Sequence, residues 1–406
     1  MKNLRTICFA VLALAGAPVL ARDYHFDGSM SEEVLRSYLS RSMTVMHLLS
    51  REETFEENLR MLQHCGVKFA GRALYQWGRE DGGESALPVR LALAKERAAK
   101  VHAVNPDLIL QACIFEIVSE DVEHLAIPAW AFEAFGKPAE ARNFHYAAML
   151  DPNGRGLKRW GNGASVPDVS QDETKMWFLF LAASYLDAGC EAIHFGQVEL
   201  MNMNDPKLDH WADVLRIVRG YAAQHARRHF VVCDAHVPHG GFVRDGHLLF
   251  DFHSFPLRIA EIPDRPREAD LRVGFSDGLY GRSKGGITPS GWTCKHLPFL
   301  VEFDNYGRSR KPGEAHMGGC WVWGWDEITW FSQLPEPARN DWLRYAWGWV
   351  REHDAAGYLE MPGARGLSGS PNGARWYAAN TKSEKCPQGF AQEETIREIW
   401  DKEDSK

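Results

Sequence analysis

Two glutamates close stretches of the same build. In 190–202, C-E-A-I-H-F-G-Q-V-E-L-M-N, an apolar run with Ala192, Ile193 and Phe195 gives way to Gln197 and Glu199. Side chains alternate along an extended chain, so these two polar residues share a face. In 298–307, P-F-L-V-E-F-D-N-Y-G, a similar run closes on Glu302 and Asp304, again on one face. Carboxyl groups at the polar ends of buried strands suit cleavage of an acetal: one protonates the leaving oxygen while the other attacks or activates water. The pattern predicts Glu199 and Glu302 facing each other across a pocket, with Asp304 the substitute for Glu302. Glu116 ends a third such run and reads as a support residue.

A second constellation combines Asp234 and His236 with Asp251 and His253, joined by His194. Carboxylates and imidazoles on neighbouring strand ends are competent ligands for a divalent metal. Their short Asp-x-His spacings make no three-ligand signature, so the same histidines also read as hydrogen-bonding partners of a substrate. No metal and no cofactor is assigned. The glycines at 281–286 lack the strand-to-helix setting that a phosphate loop requires. Around these polar groups stand Arg72, Trp77, Tyr306, Trp323 and Trp325; with 15 tryptophans in the chain, some indole faces are available to pack on the C–H face of a sugar. Arg72, Arg258 and Arg282 would suit an acidic sugar.

Apolar runs at 42–50, 67–77, 107–118, 190–197, 228–237, 247–256, 299–303 and 319–325 predict eight strands. Between them, 31–39, a helix from Phe55 stopped by Gly66, 87–104, 173–188, 208–225 and 339–353 carry helical periodicity, and Ser170 to Glu173 reads as a capping box. Strands alternating with helices over short joints predict parallel pairing with right-handed crossovers, and eight strands are the count of a closed barrel. The short joint 238–246 leaves no room for a helix. The long connections 119–168 and 257–296 read as functional loops, the first as a lid over the third strand's mouth. The expected organisation is a leader at 1–21, a (β/α)8 barrel at 22–357 and an extension at 358–406 packed on it.

The leader places Lys2 and Arg5 before an apolar run and ends near Ala21 on small residues, which predicts export to the periplasm or the medium. The apolar run is short for a membrane span. A net charge of −8 without a basic run argues against nucleic acid as a partner. Seven of the eight cysteines lie beyond the leader without metal-type pairing; Cys113, Cys190, Cys233 and Cys320 sit in apolar runs and read as buried free thiols. Nothing in the sequence fixes the oligomeric state.

In its barrel pattern over about 42–350, with glutamates at the fourth and seventh strands, the chain resembles the retaining (β/α)8 glycoside hydrolases of clan A. The resemblance implies hydrolysis of a poly- or oligosaccharide, with Glu199 as acid/base, Glu302 as nucleophile, Arg72 supporting the nucleophile, and Trp323 or Trp325 flooring the sugar site. Two departures stand out: Val198 occupies the position before Glu199 where the clan carries asparagine, and Asp251 and His253 stand where a tyrosine is usual. Two other readings remain open: a metal-dependent barrel isomerase or lyase using Asp234, His236 and Glu199, and a barrel that binds glycans without cleaving them.

Overall fold

A computed structural model of the protein describes residues 22–51, 53–79, 86–262, 264–273, 282–305, 322–369 and 373–404. The leader, Tyr306 and Cys320 lie outside these residues.

Eight strands follow one another around a closed ring: β1 Ser42–Val45, β2 Phe69–Tyr75, β3 Ile109–Cys113, β4 Ala192–Gln197, β5 Val232–His236, β6 Phe252–Pro256, β7 Phe299–Glu302 and β8 Gly357–Gly366. Each is parallel to its neighbour, and β8 returns to pair with β1, leaving no free edge. A ninth strand, β9 Trp376–Ala378, hangs antiparallel on β8. The helices outside the ring include α1 Glu32–Leu39, α2 Phe55–Cys65, α3 Leu87–Val104, α4 Ala129–Ala134, α5 Asp172–Asp187, α6 Val198–Met201, α7 Asp209–His225, α8 Glu327–Gln333, α9 Glu336–His353 and α10 Glu393–Asp404. The expected (β/α)8 barrel is the fold.

Two expectations need correction. The strand expected at 319–325 falls within the described residues only over 322–325, and the ring closes elsewhere. Within that stretch, Val322 and Trp325 bridge each other across a tight turn in which Trp323 takes a positive φ of 52°. The eighth strand is Gly357–Gly366, which but for its first residue falls in the 358–406 stretch expected as extension. Its sequence, G-Y-L-E-M-P-G-A-R-G, looks like turn, yet both edges are paired. Pro362 is tolerated because the register with β1 slips beside its partner Thr44, and a Cβ on Gly363 would lie 2.6 Å from Met43 Sδ. The capping box also does not form: α5 is entered through Gln171 without a side-chain cap, while Glu173 accepts from Arg142 and from the His145 amide.

Period-two alternation fills the barrel in layers. At the bottom, Phe69, Ile109, Ala192, Val232, Phe252, Leu300 and Tyr358 make one apolar cluster, plugged from below by Phe26, Met30, Val34, Leu35 and Tyr38. Two residues further along the same strands the layer turns polar: Thr44, Gln111, His194, Asp234, Ser254, Glu302 and Glu360, all buried. Gly71 completes it; a Cβ there would collide with Glu360 Oε1, so the missing side chain makes room for that carboxyl. The outward residues between, among them Leu110, Ile193, Cys233, Phe255 and Leu359, join the main core under the helices.

The connection after β3 is packed structure. Val122, Ile127, Phe132, Phe144 and Met149 belong to the main core, and Val118–Ser119 pairs with Ala164–Ser165. At the far end of the chain, α10 returns to the barrel, where buried Arg41 is ion-paired with Glu403 and Asp404. Cys65, Cys113, Cys190 and Cys233 are buried free thiols.

Candidate active site

Above the polar layer, at the carboxyl ends of the strands, lies a cavity of about 520 Å3. One wall is aromatic: Tyr75, Trp77 and Phe115, with Phe115 edge-on to Tyr75 at 5.1 Å and to Trp77 at 5.3 Å. Trp160 from the long insertion extends this wall, 5.2 Å from Trp77, and its indole N–H donates to Glu116 O at 2.7 Å. The polar lining comprises Arg72, Glu116, His194, Gln197, His236, Arg258, Asp304 and Asn305.

Glu116 and Asp304 are the carboxyl groups of that lining. Glu116 stands just past β3 and Asp304 just past β7, which are half a turn apart in the ring, so they occupy opposite walls. The β4 end fixes Glu116. Its Oε2 accepts from the Gln197 amide and its Oε1 from Gln197 Nε2, both at 2.8 Å. A register shift between His194 and Gln197, with Gly196 at φ 54°, turns Gln197 into this position. A Cβ on Gly196 would strike Glu116 Oε2, so glycine is required on both counts. Asp304 accepts from the Asn305 amide at 2.8 Å and from Arg365 Nη2 at 3.1 Å, with Arg258 Nη1 at 4.0 Å.

Glu302 lies beneath. Arg72 grips both its oxygens, and Arg365 Nη1 adds a bond to Oε2 at 3.0 Å. The expected partnership of Arg72 with Glu302 is therefore present, produced by an irregularity in β2: the register with β3 shifts between Ala70 and Leu74, and Arg72 takes φ 56° while its amide donates to Gln111 Oε1. Burial alone would raise the Glu302 carboxyl, but Arg365 and Arg72 outweigh it and hold the group below the usual glutamate range. Glu360, beside Glu302 in register, moves the other way: burial and the Glu302 charge push it up to about 8.

The other sequence candidates divide. Gln197, His236, Arg72 and Trp77 line the cavity. Asp234 sits one layer below, fully buried, its Oδ2 2.7 Å from His194 Nδ1 and its Oδ1 accepting from Gln111. A carboxylate only accepts, so it fixes the imidazole tautomer of His194, which does line the cavity. His253 points to the outer face of β6, because it alternates with inward Ser254; its ring meets Ser283 Oγ at 2.9 Å. Asp251 accepts from Arg219 and the Cys233 amide. These separate partnerships disperse the second constellation, and no group of three metal-ligating side chains assembles among the described residues. Trp323 and Trp325 pack on the main core and do not line the cavity, because residues 322–325 form a turn. Glu199 lies in α6, not in the cavity lining, where it accepts from the amide and ring of His239.

Arg365 was missed because it sits in a Gly/Pro-rich stretch that reads as turn. Tyr75 and Phe115 read only as strand residues. Asp304 and Glu116 were visible as strand-end carboxyls and stood second to Glu302 and Glu199.

Fold and cavity together define a closed parallel (β/α)8 barrel with two carboxyl groups opposed across its C-terminal mouth. No family model and no curated protein matches the chain. Among solved structures it is similar to an α-amylase from Geobacillus thermoleovorans complexed with acarbose (11% identity, 91% of this chain and 79% of that one, TM-score 0.46). It is also similar to a debranching enzyme from Nostoc punctiforme (10%, 91% and 80%, 0.42) and a cyclic α-maltosyl-(1→6)-maltose hydrolase from Arthrobacter globiformis (10%, 91% and 84%, 0.45). Likeness this loose transfers neither a residue role nor a substrate to the chain.

Proposed function

We propose that the protein is a glycoside hydrolase acting on a poly- or oligosaccharide, with Glu116 and Asp304 flanking the scissile bond. The observation that carries this reading is the pair itself: two carboxyls on opposite walls of one aromatic-sided cavity at the mouth of a closed barrel. Tyr75, Trp77 and Phe115 offer faces for a sugar ring. Glu116 gives its proton to the leaving oxygen and Asp304 attacks the anomeric carbon; Glu116 then takes a proton from the water that releases the sugar. Glu302 anchors Arg72 and Arg365 below, and the acid role expected at Glu199 passes to Glu116. The leader supports export, so we place the enzyme in the periplasm or outside the cell; among the described residues no helix is long and apolar enough to cross a membrane.

The acid role has a specific test. Glu116→Gln slows glycosides with poor leaving groups by about a hundredfold or more, and aryl glycosides with acidic phenols far less, because those leave without a proton. Equal losses on both substrate types would remove the assignment.

A further inference from the structure

A second, larger cavity of about 1080 Å3 opens beside the first, between the segment after β1, the start of α9 and β9. Its lining is rich in cations: Arg51, Arg267, Arg339, Arg375 and Lys382, against Glu336 as the one lining carboxylate among the described residues. In a chain of net charge −8 this is a local reversal of sign. Arg339 is spent internally, donating to the carbonyls of Leu334 and Phe390 and to Gln392. Arg267, Arg375 and Lys382 are exposed, and none is ion-paired among the described residues. The Arg51 guanidinium carbon lies over the Trp376 ring, 4.2 Å from its centroid, which holds the group at the groove.

The groove and the candidate active site share a wall. Trp376 lines the groove, Tyr75 lines the active-site cavity, and His47 stands between them, stacked on Tyr75 at 4.1 Å and edge-on to Trp376 at 6.3 Å. The two cavities are therefore adjacent across this stack of rings. Within the active-site cavity the arginines are already engaged, Arg72 by Glu302 and Arg258 by Glu327, so uncommitted positive charge lies outside it.

We propose that this groove is an outer subsite for an anionic glycan, whose carboxylate or sulfate groups are held by Arg267, Arg375 and Lys382. The inference takes its substrate from the glycoside-hydrolase reading and adds the charge that substrate carries. Guanidinium groups suit both anions because their planar donors match two oxygens at once.

Titration calorimetry on the full chain carrying Asp304→Asn tests it without turnover. The probes are a galacturonic acid hexasaccharide, a heparin-derived hexasaccharide and maltohexaose, at two salt concentrations. One anionic probe is expected to bind more tightly than maltohexaose, to weaken as salt rises, and to lose roughly tenfold in affinity with each of Arg375→Ala and Lys382→Ala. The galacturonate and heparin arms separate carboxylate from sulfate recognition. Preference for maltohexaose, or anionic binding unchanged by both substitutions, would overturn the proposal. The two readings fail separately: anionic binding without hydrolysis of any glycan removes the enzymatic reading alone, while hydrolysis of neutral glycans without anionic binding removes the groove alone.

Discussion

The buried pair Glu302 and Glu360 shows how one layer of a barrel can hold two glutamates in opposite states. Two arginines bind Glu302, so its ionised form is favoured; Glu360 has no comparable cation and faces that charge. Removing the charge of Glu302 strands Arg72 in a buried site and leaves Arg365 with Asp304 alone, and Glu302→Gln is expected to cost about 3–5 kcal/mol in urea denaturation. Because its native pKa is depressed, the stabilisation from Glu302 is present above the ordinary value of 4.5 and is lost as pH falls below it. Glu360 has the reverse sign: between 4.5 and about 8 the native state keeps a proton that the unfolded chain releases, so this group lowers stability as pH rises. Glu360→Gln should therefore gain Tm relative to the parent as pH is raised from 4.5 to 8; a constant difference across that range would contradict the placement of the proton. Which strand-end carboxyl reaches the cavity depends on side-chain reach and on partners contributed by distant strands. That is why the sequence alone puts Glu302 and Glu199 ahead of Asp304 and reads Glu116 as a support residue.

At the scale of elements, irregularities place the groups. The β2 irregularity swings Arg72 onto Glu302, and the β4 irregularity at Gly196 delivers Gln197 to Glu116. Gly196→Ala adds a side chain at positive φ and against Glu116, so it is expected to cost about 1–3 kcal/mol and to lower turnover on poor leaving groups. Unchanged melting and turnover would show that the turn has another purpose. Seven strands could be read from the sequence because each is a short apolar run, and α3 matches its expected bounds of 87–104. The eighth could not: β8 buries Glu360 and Arg365 in a polar interior, so its inward face lacks the apolar signal, while the aromatic 319–325 run imitates a strand.

For the whole molecule, closure is the controlling fact. β8 bonds to β7 and β1 together, and α10 ties the chain end to α2 and Arg41. A chain ending at Ala356 exposes both of those edges and should yield aggregated protein, whereas the full chain melts in one transition. Soluble, cooperatively melting truncated protein would contradict the closed ring.

The most direct measurement concerns Asp304. Wild type and Asp304→Asn, matched by melting temperature, are compared for product release across neutral and acidic glycans and aryl glycosides. Release by the wild type, with a loss of about a thousandfold or more in the folded variant, is the expected result. A folded Asp304→Asn enzyme with near-parental turnover would contradict the assignment of the cavity carboxyls to glycoside cleavage.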